Sequence, residues 1–414
     1  MSIAIVCTGT ELLKGGCCNT DLRFAGAALA AAALPPVLEL SVGDHADELC
    51  FALSCALKAA DTVIVSGGLG PTSDDITLAT VAGFFGAEMI EVPELRAKIE
   101  SFWRMRHRGH CPKNQYKQAM AVRGGEIFPN RAGAASGIGF TAEYGGRTRR
   151  IYLLPGPPAE FEAVLEDGML AAITAAESGE KRHTAGFLIC GIGESAVAAA
   201  AEPFVKNLPL EIAYTAVSAG TKLFLTGADR DTVAAAAEEL RKIIGRNALE
   251  IGQFDLPSAL LARLLSEAMT LGCAESCTGG LAADSVVSLP GASRVFRGGI
   301  VSYANEVKTA LLGVPEELLR LHGAVSAQCA EAMAEGACAA LRCDCAVSTT
   351  GIAGPDGGTP EKPVGLVYVG AACRGVTAVR ELHLRGTRQM IRERAVSGAW
   401  MLLRDLLDAG GNLC

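Results

Sequence analysis

The sequence predicts an α/β protein: a doubly wound sheet domain, a small α+β unit, and a second α/β domain. Three observations predict it. Short apolar runs rich in Val and Ile alternate with helical stretches, the order that builds a largely parallel sheet with helices on its faces. Several of these runs enter Gly-rich loops, where doubly wound sheets bind ligands. From about residue 181 the alternation gives way to two adjacent strand-like runs flanked by helices. A chain of 414 residues, half of them hydrophobic, has material for two or three cores.

In the first domain, residues 3–7 form an apolar strand ending in Thr8-Gly9-Thr10-Glu11-Leu12-Leu13. Residues 19–33 read as a helix stopped by Pro35-Pro36, 37–42 as a strand and 47–59 as a helix. The buried strand 62–65 runs into Ser66-Gly67-Gly68-Leu69-Gly70-Pro71-Thr72-Ser73-Asp74-Asp75, and a helix follows over 76–86. Gly67, Gly68 and Gly70 therefore stand where a phosphate cradle is expected, and Asp74 and Asp75 could hold a divalent cation against the phosphates. The plain alternative is a Gly-rich turn with an Asp capping the next helix. The helix over 94–110 ends in Arg104, Arg106, His107, Arg108 and His110, a phosphate clamp or a solvated face. Strand 151–154 enters the rigid turn Pro155-Gly156-Pro157-Pro158.

In the middle unit, strand 187–190, the loop Gly191-Ile192-Gly193-Glu194, helix 196–205, strands 211–217 and 221–226 and helix 232–244 follow in order. The loop resembles a KH-type loop. With few basic residues around it, a structural role is favoured over RNA binding.

The third domain opens with an amphipathic helix over 257–270. Next comes Ala274-Glu275-Ser276-Cys277-Thr278-Gly279-Gly280, then a helix over 281–289 stopped by Pro290-Gly291. This connection opens a helix, whose start offers unpaired N–H groups and a positive dipole end. A hydroxyl beside such donors can be a nucleophile with an oxyanion site at hand. The alternative is that Ser276 or Thr278 caps the helix. Strand 300–303, a helix from Asn305, helix 327–341, strand 345–349, the Gly-rich loop from Gly351 to Gly358, strand 364–371 and a long helix over 389–407 complete the chain.

A net charge of −8 argues against a protein that binds nucleic acid by neutralising phosphates. No apolar run approaches membrane-spanning length, and the start Met1-Ser2-Ile3-Ala4-Ile5-Val6 lacks the basic segment of a secretory signal. A cytoplasmic protein without a membrane or nucleic-acid partner is expected. The 15 cysteines fit neither zinc-site nor small-disulfide spacing and are expected to be reduced, mostly core residues. Gly/Ala-rich helices would permit close packing of two copies, and a homodimer is expected.

Collected, these stretches resemble the CinA family of competence/damage-inducible proteins nearly end to end. The first domain carries the likeness in Gly9-Thr10-Glu11-Leu12-Leu13, Gly43-Asp44, Ser66 to Thr72 with Asp74-Asp75, Lys117-Gln118-Ala119-Met120 and Leu153-Leu154-Pro155-Gly156. The last domain carries it in Ala274 to Gly280, Tyr303, Asn305-Glu306, Lys308, His322 to Ser326, Gly351 to Gly358 and Lys362-Pro363-Val364-Gly365. The resemblance implies three parts: a molybdopterin-binding-like domain over 1–170, a KH-like linker over 171–252 and an amidohydrolase domain over 253–414. The last is similar to nicotinamide mononucleotide (NMN) deamidase, which yields nicotinic acid mononucleotide and ammonia without a cofactor. The first is similar to an ADP-ribose pyrophosphatase that uses a divalent cation.

By resemblance Ser276, Tyr303 and Lys308 carry the deamidation, with Ser276 attacking the carboxamide carbon. No His lies within the motif, so a His-based triad is not indicated. Lysine can act as base only with a lowered pKa, and Cys277 is the rival nucleophile. Glu275, Thr278, Gly279, Gly351, Ile352, Ala353, Gly354 and Arg388 are the expected substrate-binding residues. In the first domain Gly67, Gly68, Gly70, Pro155 and Gly156 would form the nucleotide site, and Asp74, Asp75 and Glu11 would hold the metal. NMN and ADP-ribose are the expected ligands; a non-catalytic pterin- or nucleotide-binding scaffold is the competing reading.

Overall fold

The computed structural model describes residues 2–106, 109–176 and 182–410. His107 and Arg108 of the basic stretch lie outside them. The chain divides into two compact units, Met1–Thr184 and Ala185–Cys414. Among the described residues no helix is long and apolar enough to cross a membrane.

The first unit is a six-stranded sheet in the order Leu38–Val42, Ile3–Thr8, Thr62–Ser66, Arg147–Leu154, Gly137–Tyr144, Glu126–Phe128. The first four strands are parallel, and the last two are antiparallel additions at one edge. All six residues of Ile3–Thr8 are buried. Ala4 and Val6 face a core with Leu49, Leu53 and Val63, whereas Ile3 and Ile5 face one with Leu29, Ile64 and Phe161. Covering both faces is what makes a central parallel strand read as an unbroken apolar run. The edge hairpin was not expected from the sequence. Its turn is Gly145-Gly146, with φ of +60° and +73°, as a two-residue turn between twisted strands requires. Arg147, Arg149 and Arg150 mask the first half of its second strand.

The second unit carries two sheets. The smaller orders Glu211–Val217, Gly220–Gly227, His183–Cys190, with helices Glu194–Val205 and Arg230–Ile244 packed over Phe187, Ile189, Leu223 and Leu225. Leu188 and Cys190, alternating with those residues, point instead into the core of the larger sheet. That sheet orders Phe296–Val301, Leu271–Glu275, Cys345–Gly351, Leu366–Cys373, Val376–His383, three parallel strands followed by two antiparallel ones. Helix Ala327–Leu341 packs on one face, and helices Leu256–Ser266 and Arg388–Asp408 on the other.

The opening helix of this domain stops at Ser266, not at 270, and Leu271–Glu275 is a strand. Its residues Gly272, Cys273 and Ala274 carry none of the bulk that marks a strand in sequence. The small side chains are required by packing. A Cβ at Gly272 would lie 2.7 Å from Leu341 Cδ1.

Candidate active site

Ser276 follows the last residue of the inner strand Leu271–Glu275. Its N–H donates to the Thr349 carbonyl on the neighbouring strand at 2.9 Å. Gly279 and Gly280 then take φ of +61° and +98°, which turns the chain into helix Leu281–Val287. Left-handed backbone of this kind is open to glycine at little cost. Ser276 is therefore held on a sharp strand-to-helix turn, half-buried.

The helix start is not vacant. Glu275 is 1% exposed, and its carboxylate accepts from the N–H groups of Gly280, Ala282 and Ala283 at 2.9, 3.0 and 2.8 Å. It also accepts from the Thr278 hydroxyl at 2.7 Å, which leaves the Thr349 hydroxyl to donate to Thr278 at 2.6 Å. The expectation that this helix offers free amides to a ligand is thereby corrected: an internal anion satisfies them. Glu275 and Thr278, expected at the substrate, have side chains that form a buried brace beneath the turn. Among the described residues, the N–H groups of Cys277 and Thr278 donate to no other residue, and that of Cys277 faces its own thiol.

Lys308 lies in helix Asn305–Leu312 and is 1% exposed. Its Nζ donates to the Ser302 carbonyl at 2.6 Å, the Tyr303 carbonyl at 3.2 Å and Ser276 Oγ at 3.2 Å. Three acceptors match the three ammonium hydrogens. Burial pushes Lys308 below its ordinary pKa, while the Cys329 and Cys277 thiols oppose the shift. Tyr303 is 65% exposed, and its carbonyl rather than its hydroxyl meets Lys308. Cys277 packs into the core, and burial pushes its thiol up to about 11, the wrong direction for a nucleophile at neutral pH.

The second Gly-rich loop leaves the strand beside Ser276. The N–H of Ile352 bonds to the Leu366 carbonyl at 2.9 Å and the Ile352 carbonyl accepts from Gly365 at 2.8 Å. Gly351 and Ile352 are thus knitted into the sheet end, and Ala353 is buried. Arg388 donates to the Gly354 carbonyl and Arg392 to the Thr278 carbonyl, each at 2.5 Å. One turn apart on helix Arg388–Asp408, these two cations link the loop after strand Cys345–Gly351 to the turn that bears Ser276. Arg392 was missed in the sequence; its only signal was the four-residue spacing from Arg388.

In the first unit, Gly67, Gly68, Gly70, Pro155, Gly156, Glu11, Asp74 and Asp75 all line one cavity of about 660 Å³. Gly67 has φ +98°, and a Cβ there would lie 2.3 Å from the Thr8 carbonyl oxygen. Asp21, also in the cavity wall, accepts from Ser66 Oγ at 2.5 Å, and burial raises its pKa to about 6. Among the described residues, the wall holds six carboxylates, Glu11, Asp21, Asp44, Asp74, Asp75 and Glu160, and no Lys, Arg or His. Their oxygens suit a hard divalent cation. Yet among the described residues no three His, Cys, Asp or Glu side chains converge as a metal-binding group. Asp74 and Asp75 both accept from the Thr72 hydroxyl, and Asp75 also from its N–H at 2.7 Å. Asp74 and Asp75 thus meet at the Thr72 hydroxyl, and Glu11 lines the same cavity without converging with them as a three-ligand group.

Residues 253–407 match the profile of the CinA C-terminal domain. Residues 4–174 match that of a probable molybdopterin binding domain. The chain is 37% identical over 411 residues to a CinA-like protein of Dictyoglomus thermophilum, covering 98% of each. It is 38% identical over 418 residues to a putative competence-damage inducible protein of Clostridium kluyveri, covering 96% of this chain and 98% of that one. Among solved structures, the competence/damage inducible protein CihA from Agrobacterium tumefaciens is 40% identical. It spans 37% of this chain and 93% of its own, with a TM-score of 0.36.

Proposed function

The chain belongs to the CinA family, and from that premise we propose that its second unit hydrolyses the carboxamide of NMN. The contact that carries this reading is the buried Lys308 Nζ at 3.2 Å from Ser276 Oγ. In its neutral form Lys308 takes the proton of Ser276 as Oγ attacks the carboxamide carbon. The N–H groups of Cys277 and Thr278 receive the charge that develops on the carbonyl oxygen, where one such donor is worth on the order of 100-fold in rate. Lys308 returns its proton to the amide nitrogen, ammonia leaves, and the nicotinoyl mononucleotide remains as an ester on Ser276. Water, deprotonated by Lys308, hydrolyses the ester to nicotinic acid mononucleotide and restores the serine. Arg388 and Arg392 are suited to the substrate phosphate.

The test is NMN hydrolysis by wild type, Ser276→Ala, Cys277→Ala and Lys308→Met. Loss in the Ser276 and Lys308 variants with retention in Cys277→Ala supports the mechanism; activity that survives Ser276→Ala and dies with Cys277→Ala sinks it.

For the first unit, the Gly67-Gly68 cradle supports binding of a nucleotide or pterin. Engagement of Asp74 and Asp75 by the Thr72 hydroxyl favours binding over metal-dependent ADP-ribose hydrolysis. AMP released from ADP-ribose only with a divalent cation, and stopped by chelation, would reverse that preference.

A further inference from the structure

Far from Ser276, at the other end of the larger sheet, two thiols face each other. Cys345 begins strand Cys345–Gly351 and Cys373 ends strand Leu366–Cys373; the two residues are direct partners in the antiparallel register. Arg374 N–H donates to the Asp344 carbonyl at 3.0 Å. That bond makes Cys345 and Cys373 a non-hydrogen-bonded pair, the kind in which opposite Cα atoms are about 4.5 Å apart. Disulfides accept Cα separations from about 4.4 Å upward. The sulfurs lie 2.6 Å apart, with Cys345 fully buried and Cys373 7% exposed beside the turn at Arg374-Gly375.

We propose that Cys345 and Cys373 are a redox modification site, a dithiol that a small-molecule disulfide converts to a cross-strand disulfide. Cys373 attacks first, because it is the more accessible. The hydrogen bond from Cys345 and the adjacent Arg374 also favour its thiolate. Its sulfur bonds to one sulfur of the reagent and expels the other as a thiol. Cys345 then gives up its proton and attacks the Cys373 sulfur, expelling the second reagent thiol. Two protein thiols are oxidised to one disulfide, and the reagent disulfide is reduced to two thiols.

Cys338 and Cys343 are the competing partners. Cys338 Sγ lies 3.9 Å from the Ala372 carbonyl oxygen, and Cys343 Sγ 3.8 Å from that of Ala337.

The experiment incubates the native full-length protein with 2-hydroxyethyl disulfide, blocks remaining thiols with N-ethylmaleimide in denaturant, and maps unreduced peptides by mass spectrometry. The expected product joins the peptide bearing residue 345 to that bearing residue 373, lighter by two hydrogens than their sum and separated by dithiothreitol. In Cys345→Ser, residue 373 is expected to retain one mercaptoethanol as a stable mixed disulfide. The wild-type map decides without any variant. Recovery of Cys345 and Cys373 as separate maleimide adducts, or of Cys373 joined to Cys338 or Cys343, overturns the proposal.

Discussion

Lys308 can accept a proton from Ser276 only when neutral, and its burial lowers the pH at which that form becomes available. The rate of NMN hydrolysis at low substrate is therefore expected to climb with pH through a value below the ordinary lysine pKa and then level off. Lys308→Arg keeps a cation that does not deprotonate and should be inactive at every pH tested; a flat pH profile, or an active arginine variant, contradicts the assignment. Glu275 makes a separate prediction. Glu275→Gln keeps the shape of the side chain but turns one acceptor into a donor aimed at helix amides. A loss of about 2–3 kcal/mol in denaturant-measured stability is expected. Ser276 was legible as a candidate from its Gly-rich turn, and Lys308 through the family resemblance. The bracing role of Glu275 was not, because it reaches forward from a strand end, outside the position where a helix cap is sought.

At the scale of elements, the tight turns depend on residues without a Cβ. Gly67→Ala would force both a left-handed φ and a 2.3 Å approach to the Thr8 carbonyl oxygen, so the turn must move. The expected result is at least tenfold weaker ligand binding by the first unit, measured by titration calorimetry with ADP-ribose, with NMN hydrolysis unchanged. Wild-type affinity in the variant would show that the turn is not a cradle. The buried strands Ile3–Thr8 and Thr62–Ser66 were legible because both of their faces are covered and the apolar runs are continuous. The strand Leu271–Glu275 was not, because packing against helix Ala327–Leu341 demands small side chains there. Strands Gly137–Tyr144 and Val376–His383 escaped for a different reason: they lie at or near sheet edges and include partly exposed residues that break up the apolar pattern.

At the scale of the whole molecule, the smaller sheet of the second unit is part of the support for the larger one. Leu188 and Cys190 lie in the same core as Trp400 and Leu256. A chain beginning at residue 253 gives up that cover and should be less stable than one beginning at residue 185 by about 5 kcal/mol, from the three buried side chains Leu188, Cys190 and Leu249. Denaturant titration of the two truncations measures the difference, and equal midpoints would show that the smaller sheet adds nothing. Both truncations keep Ser276, Lys308, Arg388 and Arg392.

Because a carboxylate of the protein's own already occupies the mouth of helix Leu281–Val287, an arriving phosphate finds no electropositive amides waiting there. Under the proposed reaction, the choice among anionic substrates passes to two guanidinium groups on a different helix. Attraction of that kind weakens as dissolved salt rises. The grip on substrate is thus tuned by the surrounding brine, while the reacting serine, braced from within, is insulated from it.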